Sequence, residues 1–308
     1  MLDWPSVSGV YIGAVLVLAY SFAGRIRASI WTDVAQSTVM ILAMALLCWV
    51  YPVPLSEVGT RLEAIDPNLL SFTPPGASLG VLVYAFGWFV AGLGGVGQPH
   101  IIVRAMAVND ENGIPTMRRV YFSWYIIFSV FTMLVGLYAR IHLDGIDFDA
   151  ETALPLLAGD HLPPILVGMI LAAMFAATIS TADSQVLACS ASATQDIVVR
   201  QRSNHRLTKF ATTGVVIVAT VAALIGPDSV FVLVTVAWGL MTTCFAPLMI
   251  ARCLGWEIRI QAAVAACIVG TASMLGWSYG LGLGDAMFDG AMGFIVSMVI
   301  IIATSKRT

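Results

Sequence analysis

The chain has 308 residues, of which 59% are hydrophobic and only 11% charged, with a net charge of −3. With a mean hydropathy of +0.89, this composition excludes a water-soluble globular domain and specifies an all-α integral membrane protein of several spans. The slight negative charge excludes a nucleic-acid partner, and the five cysteines, none in C-x-x-C spacing, give neither a disulfide framework nor a zinc site.

Nine apolar stretches predict nine spans, over residues 6–24, 31–52, 79–103, 118–140, 162–195, 207–226, 229–251, 260–280 and 287–304. Basic residues follow every second span: Arg25 and Arg27, then Arg104, Arg118 and Arg119, then Arg200, Arg202, Arg206 and Lys209. Arg252 and Arg259 follow span seven, and Lys306 and Arg307 end the chain. These are 13 of the 15 lysines and arginines, which places that side in the cytoplasm of a cell whose plasma (inner) membrane holds the protein. The C-terminus is then inside and the N-terminus outside. The opening M-L-D-W-P-S-V-S-G has neither the basic start nor the cleavage site of a signal peptide. A missing upstream portion is the expected reason for an external N-terminus.

Span two opens on Trp31-Thr32-Asp33, where Asp33 is expected to cap the helix N-terminus. A proline-rich loop over 52–76 precedes span three. That span contains Gly87-Trp88-Phe89-Val90-Ala91-Gly92-Leu93-Gly94-Gly95-Val96-Gly97-Gln98-Pro99-His100, with five glycines and a proline in fourteen residues. Inside a membrane such a break is tolerable only where its backbone is buried in protein or lines a cavity. Free carbonyls and half-helix ends would then face a substrate; close helix packing through small residues is the competing reading. Gly92, Gly94 and Gly97 also spell G-x-G-x-x-G, but without a strand before them this is no dinucleotide fingerprint. Span four carries an aromatic belt near its basic end.

Span five, from Leu162 to Asp196, is the informative one. At about 1.5 Å per residue it is roughly 50 Å long, against a hydrocarbon core of about 30 Å. Its second half turns polar without a helix breaker. Ala177, Ser180, Thr181 and Ser184 fall at i, i+3, i+4 and i+7, on one face of a helix. A backbone carbonyl and two hydroxyls suit a hard monovalent cation such as sodium. The same residues also suit helix–helix packing. In span seven Pro247 predicts a kink, and Trp238 stands as a pocket wall or as buried packing.

These residues resemble the sodium:solute symporters, in particular the bacterial sodium/proline branch. The resemblance is carried by W-T-D at 31–33, G-Q-P-H-I-I-V-R at 97–104, A-A-T-I-S-T-A-D-S-Q-V-L-A-C-S-A-S-A-T-Q-D at 176–196, and Ala237, Trp238 and Pro247. It implies a leucine-transporter-like inverted-repeat fold in one transmembrane domain, lacking core helices one to three. Residues 1–52 would end the first repeat, 79–255 would form the second, and 256–308 would be extra helices. The family's sodium ligands on core helix eight fall on Ala177, Ser180 and Thr181. Asp183 matches a position that some relatives use for proton or second-ion coupling. Ala91, Gly94, Gly95, Gln98, Pro99 and Trp238 are the implied substrate-binding residues. Ala91 and Gly95 stand where the proline transporters carry Trp and Tyr, which implies a pocket of different shape.

The expected function is sodium-coupled symport of a small organic solute, proline or another amino acid among the candidates, by alternating access. The expected partners are the solute, membrane lipid and the missing N-terminal helices or a complementary fragment that completes the site. The alternatives are a membrane sensory or structural domain of a signalling protein, or a non-functional fragment. A convergent His, Glu or Cys pair within the spans, as an enzyme would need, is not seen.

Overall fold

The computed structural model describes residues 6–23, 26–108, 110–197, 205–227 and 229–307. In chain order the helices are α1 (Ser6–Ala23), α2 (Ile26–Val50), α3 (Leu55–Ile65), α4 (Val81–Leu93), α5 (Pro99–Met106), α6 (Ile114–His142) and α7 (Ala153–His161). They continue with α8 (Pro164–Ala191), α9 (His205–Ile225), α10 (Val230–Cys244), α11 (Ala246–Cys253), α12 (Ile260–Leu275) and α13 (Asp289–Thr304). A two-residue antiparallel pair, Trp256–Glu257 with Lys306–Arg307, is the one strand pairing among the described residues.

Every predicted span contains a helix, and the protein is a multi-pass membrane protein. Six helical segments are long and apolar enough to cross a bilayer, and α4 with α5 makes a seventh if the bent pair is one span. The helices at the two ends, α1 and α13, are shorter apolar helices. The basic residues Arg25, Arg200 and Arg202 lie outside the described residues. Asp33 is not an N-cap. The helix starts seven residues earlier, at Ile26, and carries Asp33 in its interior. The interfacial Trp31 and the polar run after it imitate a helix start, but Thr32 bonds back to the Ser29 carbonyl at 2.9 Å within the helix.

The chain forms two compact units, the first of residues 1–70 with 108–226, the second of residues 71–107 with 227–308. In the first unit α8 packs on α2, α9, α1 and α7. Its core gathers Ala43, Leu47, Tyr51, Val135, Ala139, Leu157, Ile170 and Ala173. Tyr51 donates to the Leu157 carbonyl of α7 at 2.6 Å, and Tyr138 of α6 holds the loop after α2 through the Val53 carbonyl at 3.3 Å. A polar tip and an apolar ring suit a buried position of this kind. The outcome is a fixed platform for the polar half of α8, which continues past Ala191 in a π-type turn over Ser192–Ile197.

In the second unit α13 lies against α12, α10 and α4. Small residues let the backbones approach, as they do where lipid supplies no hydrophobic force between helices. A methyl group built on Gly270 would collide with Ser297 Oγ, and one on Gly293 with Thr243 Oγ1. Ser297 donates to the Ala266 carbonyl at 2.9 Å across the same contact. One long span of this unit is broken, and another has a short interruption. Pro99 restarts the first as α5, bent 49° from α4, and the span containing Pro247 is interrupted at Phe245.

Gly270→Val should overpack the α10–α12–α13 contact by about 2 kcal/mol or more. Gly168→Val, where a methyl group would meet nothing within 4 Å, is its control. Thermal unfolding in detergent should show a clear drop for the first and little change for the second; equal drops would mean the close packing is not formed.

Candidate functional site

The polar face of α8 belongs to the first unit. A hydroxyl inside a helix commonly bonds to the carbonyl one turn earlier. Thr181 does so to the Ala177 carbonyl at 3.0 Å, and Ser184 to the Ser180 carbonyl at 2.8 Å. The Ser180 hydroxyl instead leaves its helix and donates to Asp33 Oδ1 on α2 at 2.5 Å. Three of the four stripe residues are at least half-buried, whereas Thr181 is exposed. Ala177, Ser180 and Thr181 are therefore brought together on one face, with a carboxyl group beside them. A hydroxyl that donates to a carboxyl keeps its own lone pairs, so Ser180 remains able to ligate a cation.

Asp183 points elsewhere. It is 2% exposed, and its Oδ1 accepts from Ser21 Oγ on α1 at 2.8 Å. Next to Ser21 in the chain, Tyr20 donates to Thr32 on α2. The polar network thus ties α1, α2 and α8 through side chains more than a hundred residues apart in two of its three links. Sequence reasoning missed Asp33, Tyr20 and Ser21 as members. Their signal was polarity at the end of an otherwise apolar first span, together with an acidic residue near the start of the second. Which polar residues meet across helices depends on register, which neither segment specifies alone.

The second unit holds the other six predicted residues. Ala91 is buried, and its carbonyl accepts the Trp238 indole N–H at 2.8 Å. Gly94 is wedged under the same tryptophan, where a methyl group would collide with Thr242 Oγ1 and lie 2.8 Å from Trp238 Nε1. Thr242, fully buried and bonded back to the Trp238 carbonyl at 2.7 Å, completes this contact and was not predicted. Gln98 is 4% exposed, and its side-chain Nε2 has no partner among the described residues. Gly95 and Pro99 are not drawn in: a methyl group on Gly95 would meet nothing within 4 Å, and Pro99 is exposed at the first position of α5. The structure thus joins Ala91, Gly94 and Trp238, sets Gln98 at the lower end of the break, and leaves two residues aside.

The first unit thus carries a polar stripe on α8 beside Asp33, and the second a span bent at Gln98–Pro99. The family model for the sodium:solute symporter family matches residues 1–270. The chain belongs to the sodium:solute symporter family. Among relatives, it is 30% identical over 314 residues to the high-affinity proline transporter PutP of Bacillus subtilis (strain 168), covering 98% of this chain and 65% of that protein. It is 31% identical over 315 residues to the osmoregulated proline transporter OpuE of the same organism, covering 97% and 63%. The sodium/proline symporter of Escherichia coli (strain K12) is 27% identical over 314 residues, covering 97% and 62%. The chain therefore spans somewhat under two thirds of the length of these curated relatives. A solved Na+-coupled sialic acid symporter, in a substrate-bound outward-open state, matches with a TM-score of 0.72 at 21% identity, covering all of this chain and 69% of that one. The fold is shared with that symporter.

The Ser21–Asp183 bond sets a stability test. In a double-mutant cycle of Ser21→Ala and Asp183→Ala, the pair should couple by roughly 1–3 kcal/mol in detergent unfolding. A coupling of zero would mean that α1 and α8 do not meet through these groups.

Proposed function

We propose that this symporter-family chain takes part in sodium-coupled symport of a small organic solute by alternating access. The observation that carries the reading is the α8 stripe, where Ser180 and Thr181 hydroxyls and the Ala177 carbonyl gather beside the Asp33 carboxyl. Neutral oxygens with one nearby carboxyl fit a monovalent hard cation better than a divalent one, which usually recruits several carboxylates. Sodium is the coupling ion named for the family, and the relatives' own names give proline and sialic acid as solutes for those proteins.

In this reading Ala177, Ser180 and Thr181 ligate sodium, and Asp33 offsets its charge. The remaining ligands come from water or from helices outside these residues. Asp183, held by Ser21, couples α8 to α1 rather than facing the ion. The solute is held at the broken helix, with Ala91, Gly94 and Gln98 on one side and Trp238 on the other. Gly95 and Pro99 belong to the opening of that break. The protein sits in the plasma membrane with its arginine-rich side and C-terminus in the cytoplasm, following the distribution of 13 of its 15 basic residues.

Solute uptake driven by an imposed sodium gradient, in proteoliposomes or cells expressing the protein, tests the assignment. Ser180→Ala with Thr181→Ala should raise the half-saturating sodium concentration by about tenfold or more, the scale of about 1.4 kcal/mol in binding. Asp33→Asn should do the same while keeping the side-chain volume. Unchanged sodium dependence in both variants would show that this stripe is helix packing and no more.

A further inference from the structure

We propose that Gln36 on α2 is a further sodium ligand, its side-chain oxygen meeting the cation of the α8 stripe from the facing helix. The inference rests on the symport reading and supplies one of the ligands left open there. Its starting point is an atom with nothing to bond. Gln36 Oε1 is buried and has no hydrogen-bond partner among the described residues. A polar atom taken out of water without a partner is destabilising, and an arriving donor or cation relieves it. Side-chain amide oxygens are neutral ligands of the kind that hard cations accept.

Two separate contacts bracket Gln36 against α8. On one side of it, Asp33 Oδ1 accepts from Ser180 Oγ at 2.5 Å. On the other, Met40 lines an apolar cavity together with Ala173 and Ala177 of α8. Residues 33, 36 and 40 are spaced i, i+3 and i+7, so they share one face of α2. Ser29, Ala43 and Leu47, all buried, continue that face. The contacts advance along α2 from Asp33 to Met40 while they retreat along α8 from Ser180 to Ala177 and Ala173, so the two helices run antiparallel here. Gln36 therefore falls at the level of Ala177, whose carbonyl is the backbone member of the stripe.

The neighbours on this stretch narrow the class of partner. Towards Met40 the cavity between the helices is apolar and offers no donor. Towards Asp33 the hydroxyl hydrogens are already committed, that of Ser180 to Asp33 and that of Thr181 to the Ala177 carbonyl. An ionised carboxylate only accepts. α6 also packs on α2, and its Trp124 Nε1 is likewise without a partner, yet these two atoms do not bond each other. What remains between α2 and α8 is a set of oxygens with their hydrogens spent. With Gln36 that set gains a neutral member while Asp33 stays the one carboxyl beside the stripe, which matches a monovalent hard cation.

The experiment is thermal unfolding of the purified full chain in detergent against sodium concentration, with choline holding the ionic strength. Sodium alone should stabilise the unaltered protein. Gln36→Leu should raise the half-maximal sodium concentration by about tenfold or more, without lowering the unfolding temperature in choline, because it removes a buried atom that had no partner. If Gln36→Leu does not fold, Gln36→Asn, which keeps the amide but shortens its reach, should give the same shift. Gln36→Glu places a second carboxylate in the site and should let calcium stabilise the protein, as it does not in the unaltered chain. Trp124→Phe removes the other unpartnered atom and should leave the sodium curve unchanged. An unchanged half-maximal sodium concentration in the Gln36 variants, or an equal shift in Trp124→Phe, would overturn the ligand. If Ser180→Ala with Thr181→Ala still shifts the curve, symport stands without Gln36. No stabilisation of the unaltered protein by sodium would overturn both readings.

Discussion

Water is absent from the hydrocarbon core, so each polar group placed there must find its partner inside the protein. Much of this structure follows from that constraint. The hydroxyls of Thr178, Thr181, Ser184 and Thr194 turn back onto their own helix, which satisfies the donor and keeps the outside of the helix compact. Those that reach across to another helix are the ones that fix register: Ser21 to Asp183, Ser180 to Asp33, and Ser297 to the Ala266 carbonyl. In a soluble protein the apolar core would set these positions and the polar contacts would be secondary. Here lipid is as apolar as leucine, so close packing and hydrogen bonds carry the specificity.

The same constraint explains where the backbone is allowed to break. Interrupting a helix frees carbonyls and amides, and the second unit keeps both interruptions together in protein. The Trp238 indole caps the Ala91 carbonyl just before the first break, and glycines at 94 and 97 admit Thr242, Trp238 and the Ala246 backbone at distances no side chain would permit. The proline after each break removes one amide that would otherwise need an acceptor. Gln98 Nε2, with Trp277 Nε1 and Ser278 Oγ of the same unit, is among the buried polar atoms left without a partner among the described residues.

Much of this is legible in the residue pattern. Apolar run length puts a helix in each of the nine predicted stretches, six or seven of which are long enough to cross a bilayer, and five glycines and a proline place the break in span three; span seven stays a single span past Pro247, with only a short interruption at Phe245. The i, i+3, i+4, i+7 spacing puts Ala177, Ser180, Thr181 and Ser184 on one face because helical geometry alone decides it. Contacts between distant segments are not legible. Asp33 looks like a cap because its neighbours are polar and interfacial, and only the packing of α2 on α8 shows that it meets Ser180. Thr242 is similarly hidden, since its role comes from a glycine on another helix. The resemblance implies six substrate residues, but two of them, Gly95 and Pro99, stand apart from the contact that gathers Ala91, Gly94 and Trp238.

The cation site proposed on the α8 stripe would have a further property. In the structure the Ala177 carbonyl accepts the Thr181 hydroxyl hydrogen, so the helix is satisfied without an ion. For a cation to be shared by that carbonyl and that hydroxyl oxygen, the hydrogen must rotate away. The bond surrendered contributes about 0.5–1.5 kcal/mol net, less than a set of cation–oxygen contacts in a dry site can return. The Ser180 hydroxyl makes no such exchange, because its hydrogen is already directed at Asp33 and its lone pairs face away from that bond. In the proposed site the Thr181 rotor would thus be the part of the stripe that changes on binding, and Ser180 with Asp33 the part already set.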